Sequence, residues 1–297
     1  MTKKQHYVPQ VYLKSFSTRN EINKIYSYPV DSKYADKKCL APISIHSICS
    51  EYNLYENLEI APVNDLENKL GSVENNFKKI LTLLIRKTNS NKDNMYALIL
   101  TSKEKEFWRI WTLLQYLRIP CRSNNFNEYE KNLFSQIEKW IQRAPINILF
   151  FKNSNIFTSD NPVMCCFKEE YKNMLLPISP NISLCFGEIK ENRWVCNRLI
   201  MLNQLEALSI NMAIINEAKK YIFSSNPFSE KDKDLIKFIR KGPKYETAKG
   251  YIIDCLIGDY MVSPKDAEEA VEKSKIKNLF KQNEDLAAHT SNEDYEE

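Results

Sequence analysis

Pro145-Ile146-Asn147-Ile148-Leu149-Phe150-Phe151 divides this chain in two. Behind it, apolar residues fall in short runs split by turn residues: 146–151, 156–158, 163–167, 174–178 and 182–186. Runs of this length, bounded by Pro, Asn, Ser and Gly, read as strands of an antiparallel sheet. Ahead of it, apolar residues recur at helical spacing. Asn64-Asp65 caps a long helix in which Leu66, Leu70, Val73, Phe77, Ile80, Leu81 and Leu84 share a face up to about Arg86. Residues 87–94 form a polar, Asn-rich loop. A second helix covers 102–117, with Ser102 as cap, Glu104 and Glu106 in its first turn, and Pro120 as its stop. A third lies near 127–143.

Further from the dividing segment the pattern continues in both directions. Pro9 can open a helical turn with Val11, Tyr12, Leu13 and Phe16 on its inner side. Residues 22–30 read as a strand and 39–55 as irregular. Helical spacing returns over 199–219, a strand follows at 221–225, and helices are expected at 229–240 and 263–282 with a strand at 252–257 between them. The fold class is therefore α+β: a helical N-terminal half packed on a mainly antiparallel sheet built largely from residues after 145. There is no internal repeat and no obvious linker.

Composition excludes more than it selects. The 297 residues are 43% hydrophobic and 27% charged, enough for one large domain. No window approaches the roughly 20 consecutive apolar residues of a membrane span. Basic residues near the start precede no apolar segment, so a signal peptide is not expected. The eight cysteines are scattered, with no CxxC spacing, which fits reduced thiols in a cytoplasmic protein better than a disulfide framework or structural zinc. The net charge of +4 is too small to argue for nucleic acid alone. The five glycines lie too far apart to cradle a phosphate, which removes the Walker loop and the dinucleotide fingerprint. No GxSxG elbow, HExxH or kinase signature occurs.

Four polar groupings can carry chemistry. Gln5-His6-Tyr7 precedes Pro9, and His6 is one of three histidines. It can act as a general base or metal ligand, or as a structural histidine that pins the N-terminus. Ser159-Asp160-Asn161-Pro162 closes a strand. Its side chains can build the turn by bonding their own backbone, or can hold a water or a divalent cation such as Mg²⁺. Gln115 and Arg118 share a helix face, with Arg122 just beyond the stop. The arginines suit a phosphate or carboxylate, or simply complement the helix C-terminus. Glu67 and Glu74 share a face of the first long helix, which solvation alone can explain.

In order along the chain, these residues resemble a bacterial family catalogued as domain of unknown function 4238. Its His-Tyr-x-Pro-x-x-Tyr-Leu-x-x-Phe opening is matched from His6 to Phe16. Ile48-Cys49 with Asn53-Leu54-Tyr55, the Glu67 to Glu74 helix, and Gln115 to Arg122 are similar to its middle motifs. Phe157 to Val163, Leu176 to Pro180, Leu202-Asn203 and Tyr221 to Ser224 are similar to its later ones. The resemblance runs over roughly 4–226. It implies a family-like domain of residues 1–226; 227–297 fall outside it and are expected to pack on it as a C-terminal extension, with an acidic end, 284–297, that carries six acidic residues and no Lys or Arg and is expected to be disordered. It also implies that His6, Arg118, Asp160 and Asn161 matter beyond this chain, but it implies no activity.

Two classes of function stay open. One is a nuclease-like or other hydrolase acting on a phosphodiester or anionic substrate, with nucleic acid or a nucleotide as ligand. His6 would be the acid/base, Arg118 the charge stabiliser, and Asp160 with Asn161 the water or metal positioner. Gln5, Tyr7, Glu74, Gln115, Arg122 and Ser159 would complete the binding set. The other is a non-catalytic binding module whose polar motif residues form a structural network. Geometry discriminates them: an enzyme needs His6, Arg118 and Asp160 on one cleft.

Overall fold

The computed structural model describes residues 4–241, apart from 31–34, 53, 55–64, 92–99, 120–127, 153–154, 168–171, 188–198 and 203. The expected strand at 252–257, helix at 263–282 and acidic end lie outside the described residues, as does Arg122.

The run that follows Pro145 becomes strand β5 (Ile146–Phe151), an inner strand of a five-stranded sheet. Its companions are β7 (Met164–Phe167), β8 (Lys172–Ser179), β9 (Ile182–Phe186) and β10 (Leu199–Leu202), in the order β10-β5-β9-β8-β7. Side chains alternate across a strand, and here each face has its own core. Ile146, Ile148 and Phe150 of β5 enter one core with Met174, Leu176 and Ile178 of β8 and Leu184 and Phe186 of β9. Leu149, Phe151, Leu175 and Cys185 enter the other. Burial on both sides is why these strands read as unbroken apolar runs instead of alternating ones.

The first core is closed by the helices ahead of residue 145: α3 (Asp65–Asn91), α4 (Ser102–Leu117) and α5 (Glu128–Ile141). Phe77 of α3 stacks on Trp111 of α4 with ring centroids 4.2 Å apart and meets Trp108 edge-on. Glu74 pairs with Arg118 at one end of this contact and Lys87 with Glu104 at the other, so α3 and α4 run antiparallel. The second core is closed by α6 (Gln204–Glu217) and α7 (Glu230–Lys241), through Ile210, Ala213, Ile214, Leu235 and Ile236. Lys237 of α7 meets Asp36 at 2.6 Å, and Asp36 also accepts from the Tyr28 hydroxyl.

A second, four-stranded sheet joins the two halves of the chain. β2 (Lys24–Pro29) and β3 (Ile43–Ser44) come from the start; β6 (Thr158–Ser159) and β11 (Tyr221–Ser224) come from beyond 145. Their order is β3-β2-β11-β6, all antiparallel.

The α+β class holds, and five local expectations change. The first 52 residues carry strands as well as short helices, and two of those strands sit in the four-stranded sheet. The segment 39–55 was expected to be irregular, but it contains β3 and a second short strand, β4 (Ser50–Tyr52). The long helix runs on to Asn91, because Lys87 reaches Glu104 and Thr88 is fully buried. Its neighbour α4 is capped by Thr101 and not Ser102: Thr101 and Glu104 bond each other's backbone N–H in a capping box. Finally, 199–202 is strand, pairing parallel with β5. Four consecutive apolar residues suit a strand or a buried helix equally, and the partner decides.

Candidate functional site

The N-terminal segment is docked from β1 through Phe16. β1 (Lys4–His6) pairs antiparallel with β4, setting Gln5 opposite Glu51 and His6 opposite Ser50. The Tyr7 N–H donates to the Cys49 carbonyl at 2.9 Å, which extends the ribbon by a residue. Cys49 takes φ 51°, in the left-handed region that a non-glycine residue seldom occupies. Its thiol is buried and hydrogen-bonds the Tyr7 hydroxyl. Burial pushes both groups well above their usual pKa, and the nearby Asp160 charge pushes the same way. Neither is an activated nucleophile.

Pro9 then opens α1 (Gln10–Leu13): its carbonyl accepts from the N–H groups of Tyr12 and Leu13 at 3.0 Å each. Val8, Tyr12, Leu13 and Phe16 are fully buried. The Tyr12 hydroxyl donates to the Pro177 carbonyl at 2.6 Å and lies 2.7 Å from Thr158 Oγ1. β7 pairs with β8 only as far as Leu175, so one edge of β8 is left open at Pro177. The motif tyrosine thus ties the N-terminus to both sheets.

Arg118 stands at the C-cap of α4, 5% exposed. Its Nη1 donates to Glu74 Oε1 at 2.5 Å and its Nη2 to the His6 carbonyl at 2.6 Å. One guanidinium therefore binds α3, α4 and the N-terminal ribbon together. The His6 side chain is half-buried. The Gln10 amide nitrogen lies 3.3 and 3.4 Å from its two ring nitrogens, and the ring also bonds the His46 backbone. Burial holds the imidazole below its ordinary pKa; the His46 bond opposes this, while the charges of Lys4, His46 and Arg118 add to it. At neutral pH the ring is uncharged, with the cationic Lys4 and Arg118 acting on it.

Asp160 faces elsewhere. It is 2% exposed, at the end of β6. Its Oδ1 accepts from the Lys219 N–H at 2.9 Å and its Oδ2 from the Lys220 N–H at 2.8 Å, while its own N–H donates to the Tyr221 carbonyl. Asn161 Nδ2 donates to the Glu217 carbonyl at 3.0 Å, and Ser159 Oγ accepts from the Asn161 N–H. The Ser-Asp-Asn segment is thus a clamp on the turn that joins α6 to β11. It satisfies backbone groups that the end of a helix leaves open. Burial raises the Asp160 pKa, and the N–H bonds from Lys219 and Lys220 pull it back.

Of the three expected partners, Arg118 and His6 meet, through a carbonyl and not through the imidazole. Asp160 hydrogen-bonds neither, and Tyr7 and Cys49 are the groups that feel its charge. Gln5 is buried within the ribbon, and Glu74 is the carboxylate on Arg118. Gln115 is 1% exposed, with neither its amide oxygen nor its amide nitrogen hydrogen-bonded. Sequence reasoning missed Gln10, Cys49 as a strained position, and the Tyr12 hydroxyl. Gln10 had a signal, since it lies four residues from His6 at the mouth of a helical turn. Among the described residues, no three His, Cys, Asp or Glu side chains gather where they could hold a metal ion. No described helix is long and apolar enough to cross a membrane.

Residues 4–145 match the family model described as Protein of unknown function (DUF4238), the family whose motifs the sequence resembles. The match takes in the His6 to Phe16 segment and Arg118, and ends before Asp160. No curated protein and no solved structure matches the chain.

Proposed function

We propose that this chain binds an anionic ligand around His6 and Arg118, and that Asp160 and Asn161 serve its architecture. The observation that carries this reading is the buried Asp160 carboxylate, both of whose oxygens accept backbone N–H groups. A carboxylate committed in this way is a poor candidate for placing an attacking water or a divalent cation such as Mg²⁺. The anionic preference is supported by Lys4 and Arg118, whose positive charges act on His6. Nucleotides and nucleic acids are a ligand class that fits an arginine with a lysine nearby.

A nuclease-like or other hydrolase is the second reading, and one observation favours it. His6 is only half-buried and is held below its ordinary pKa, so its ring is in the neutral form that a general base needs at pH 7. Free cysteines at 39, 49 and 185 support a reducing, cytoplasmic setting. Packing of α7 through Lys237 and Leu235 supports reading the segment after 227 as an extension docked on a 1–226 domain.

The test is a screen of the purified protein against RNA, DNA, nucleotides and inorganic phosphate, with Mg²⁺, Mn²⁺ or EDTA, beside a His6→Ala control. Binding without turnover is expected. Hydrolysis that His6→Ala abolishes would move the assignment to the second reading, and neither binding nor turnover would sink both.

A further inference from the structure

The inner face of α4 carries a row of buried polar atoms with no hydrogen-bond partner. Trp108 Nε1, Trp111 Nε1, Thr112 Oγ1 and both amide atoms of Gln115 are all in this state, on residues no more than 1% exposed. These positions are three or four apart, so they form one stripe that leads to Arg118. Burying an amide with both ends unbonded is costly, and leucine or methionine would fill the same volume without that cost. Packing alone therefore gives no reason for a glutamine at 115.

The geometry points to a nucleotide-reading subsite: we propose that Gln115 reads the base of a nucleoside phosphate whose phosphate binds at Arg118. This inference rests on the anionic-ligand reading above. A planar amide offers one donor and one acceptor side by side, the pattern that pairs with an adenine edge or with the amide edge of other bases. Arg118 lies one turn further along the same face and already holds an anion, the Glu74 carboxylate. Glu74 is 26% exposed on its side chain and Arg118 5%, so the carboxylate stands toward solvent and the guanidinium inward. An entering phosphate would take the place of the carboxylate, since both fit the guanidinium fork. Thr112, one turn before Gln115, adds a hydroxyl that can donate or accept. Trp111, stacked on Phe77, gives the stripe an aromatic wall.

Calorimetric titration of the full chain tests this with inorganic phosphate, the four common nucleoside 5′-monophosphates and their nucleosides as probes. At least one monophosphate should bind tenfold or more tightly than inorganic phosphate. Gln115→Leu should remove that preference while leaving phosphate affinity within twofold, and Gln115→Met repeats the test should the first variant fold poorly. If phosphate and all nucleotides bind alike, or if both variants leave the base preference intact, the base-reading role is overturned and the anionic site stands. If nucleosides bind and phosphate adds nothing, the role of Gln115 stands and the anionic reading falls. No binding of any probe overturns both.

Discussion

The polar groups around Asp160 and those along the inner face of α4 are buried to the same degree, but they differ in what they touch. Around Asp160, both carboxylate oxygens, its own N–H, the Ser159 hydroxyl and the Asn161 amide nitrogen have partners, most of them backbone, while Asn161 Oδ1 has none. Along α4, five polar atoms from four residues have none. Buried polar groups that are paired rigidify a fold, whereas unpaired ones mark strain, internal water or a ligand. A motif-like appearance in the sequence does not separate the two cases. Ser-Asp-Asn-Pro looks the more functional, yet both Asp160 oxygens accept backbone N–H groups.

The comparison can be broken by mutation, and Asp160→Ala should have the largest effect. It leaves the Lys219 and Lys220 N–H groups without acceptors and frees the α6–β11 turn. The expected loss is about 3 kcal/mol or more, read from urea unfolding. A loss under about 1 kcal/mol would show that the clamp is dispensable and reopen a chemical role for Asp160.

Tyr12→Phe should cost about 1–2 kcal/mol, because it removes the hydroxyl that joins Thr158 and Pro177 while keeping the ring in the core. Thermal and urea unfolding would both report it.

Gln115→Leu tests the other side of the comparison. Replacing an unpaired buried amide by a hydrocarbon of similar volume should leave stability within about 1 kcal/mol of the wild type, or raise it. A loss as large as that of Asp160→Ala would mean that Gln115 is paired in solution, and the contrast between the two regions would collapse.

The smallest effect is a pH dependence. The folded His6 pKa lies below the ordinary value of 6.5, so on acidification the unfolded chain takes up its proton first. Stability from this residue is present above pH 6.5 and is lost as pH falls through 6.5 toward the folded pKa. His6→Gln should flatten that part of the stability profile, and an unchanged slope would show that the ring is freely solvated.

How much of this was legible depends on whether the deciding partner was near in sequence. The α3 helix with its buried Leu70, Phe77, Leu81 and Leu84, the extent of α4, the strands after Pro145 and the burial of Tyr12, Leu13 and Phe16 all follow from local pattern. The 199–202 strand is not legible locally, because an apolar tetrapeptide has no period of its own and its partner β5 lies some fifty residues upstream. Ser102 opens the helix and so resembles a cap, whereas Thr101 has the geometry to accept from the Glu104 N–H. The site was harder still. The residue types at His6, Arg118 and Asp160 announce polarity at element ends, but nothing local says that one carboxylate will turn to Lys219 and another to Arg118. Gln115 stands out in the sequence by its spacing to Arg118, and its lack of partners emerges only from packing.

The four-stranded sheet has a consequence for how the protein is made. Strand β2 is flanked by β3 on one side and by β11 on the other, so residues 24–29 wait for residues 221–224. Tyr12 likewise waits for Thr158 and Pro177. As the chain leaves the ribosome, α3 and α4 can pair early, since their contacts are local, but the beginning of the protein has no finished place until most of it has been synthesised. The stretch that matches the family model is therefore expected to be a poor candidate for expression alone. Cut after residue 145, it would present Ile25, Tyr28 and the Tyr12 hydroxyl to solvent, with the strands that should cover them never translated.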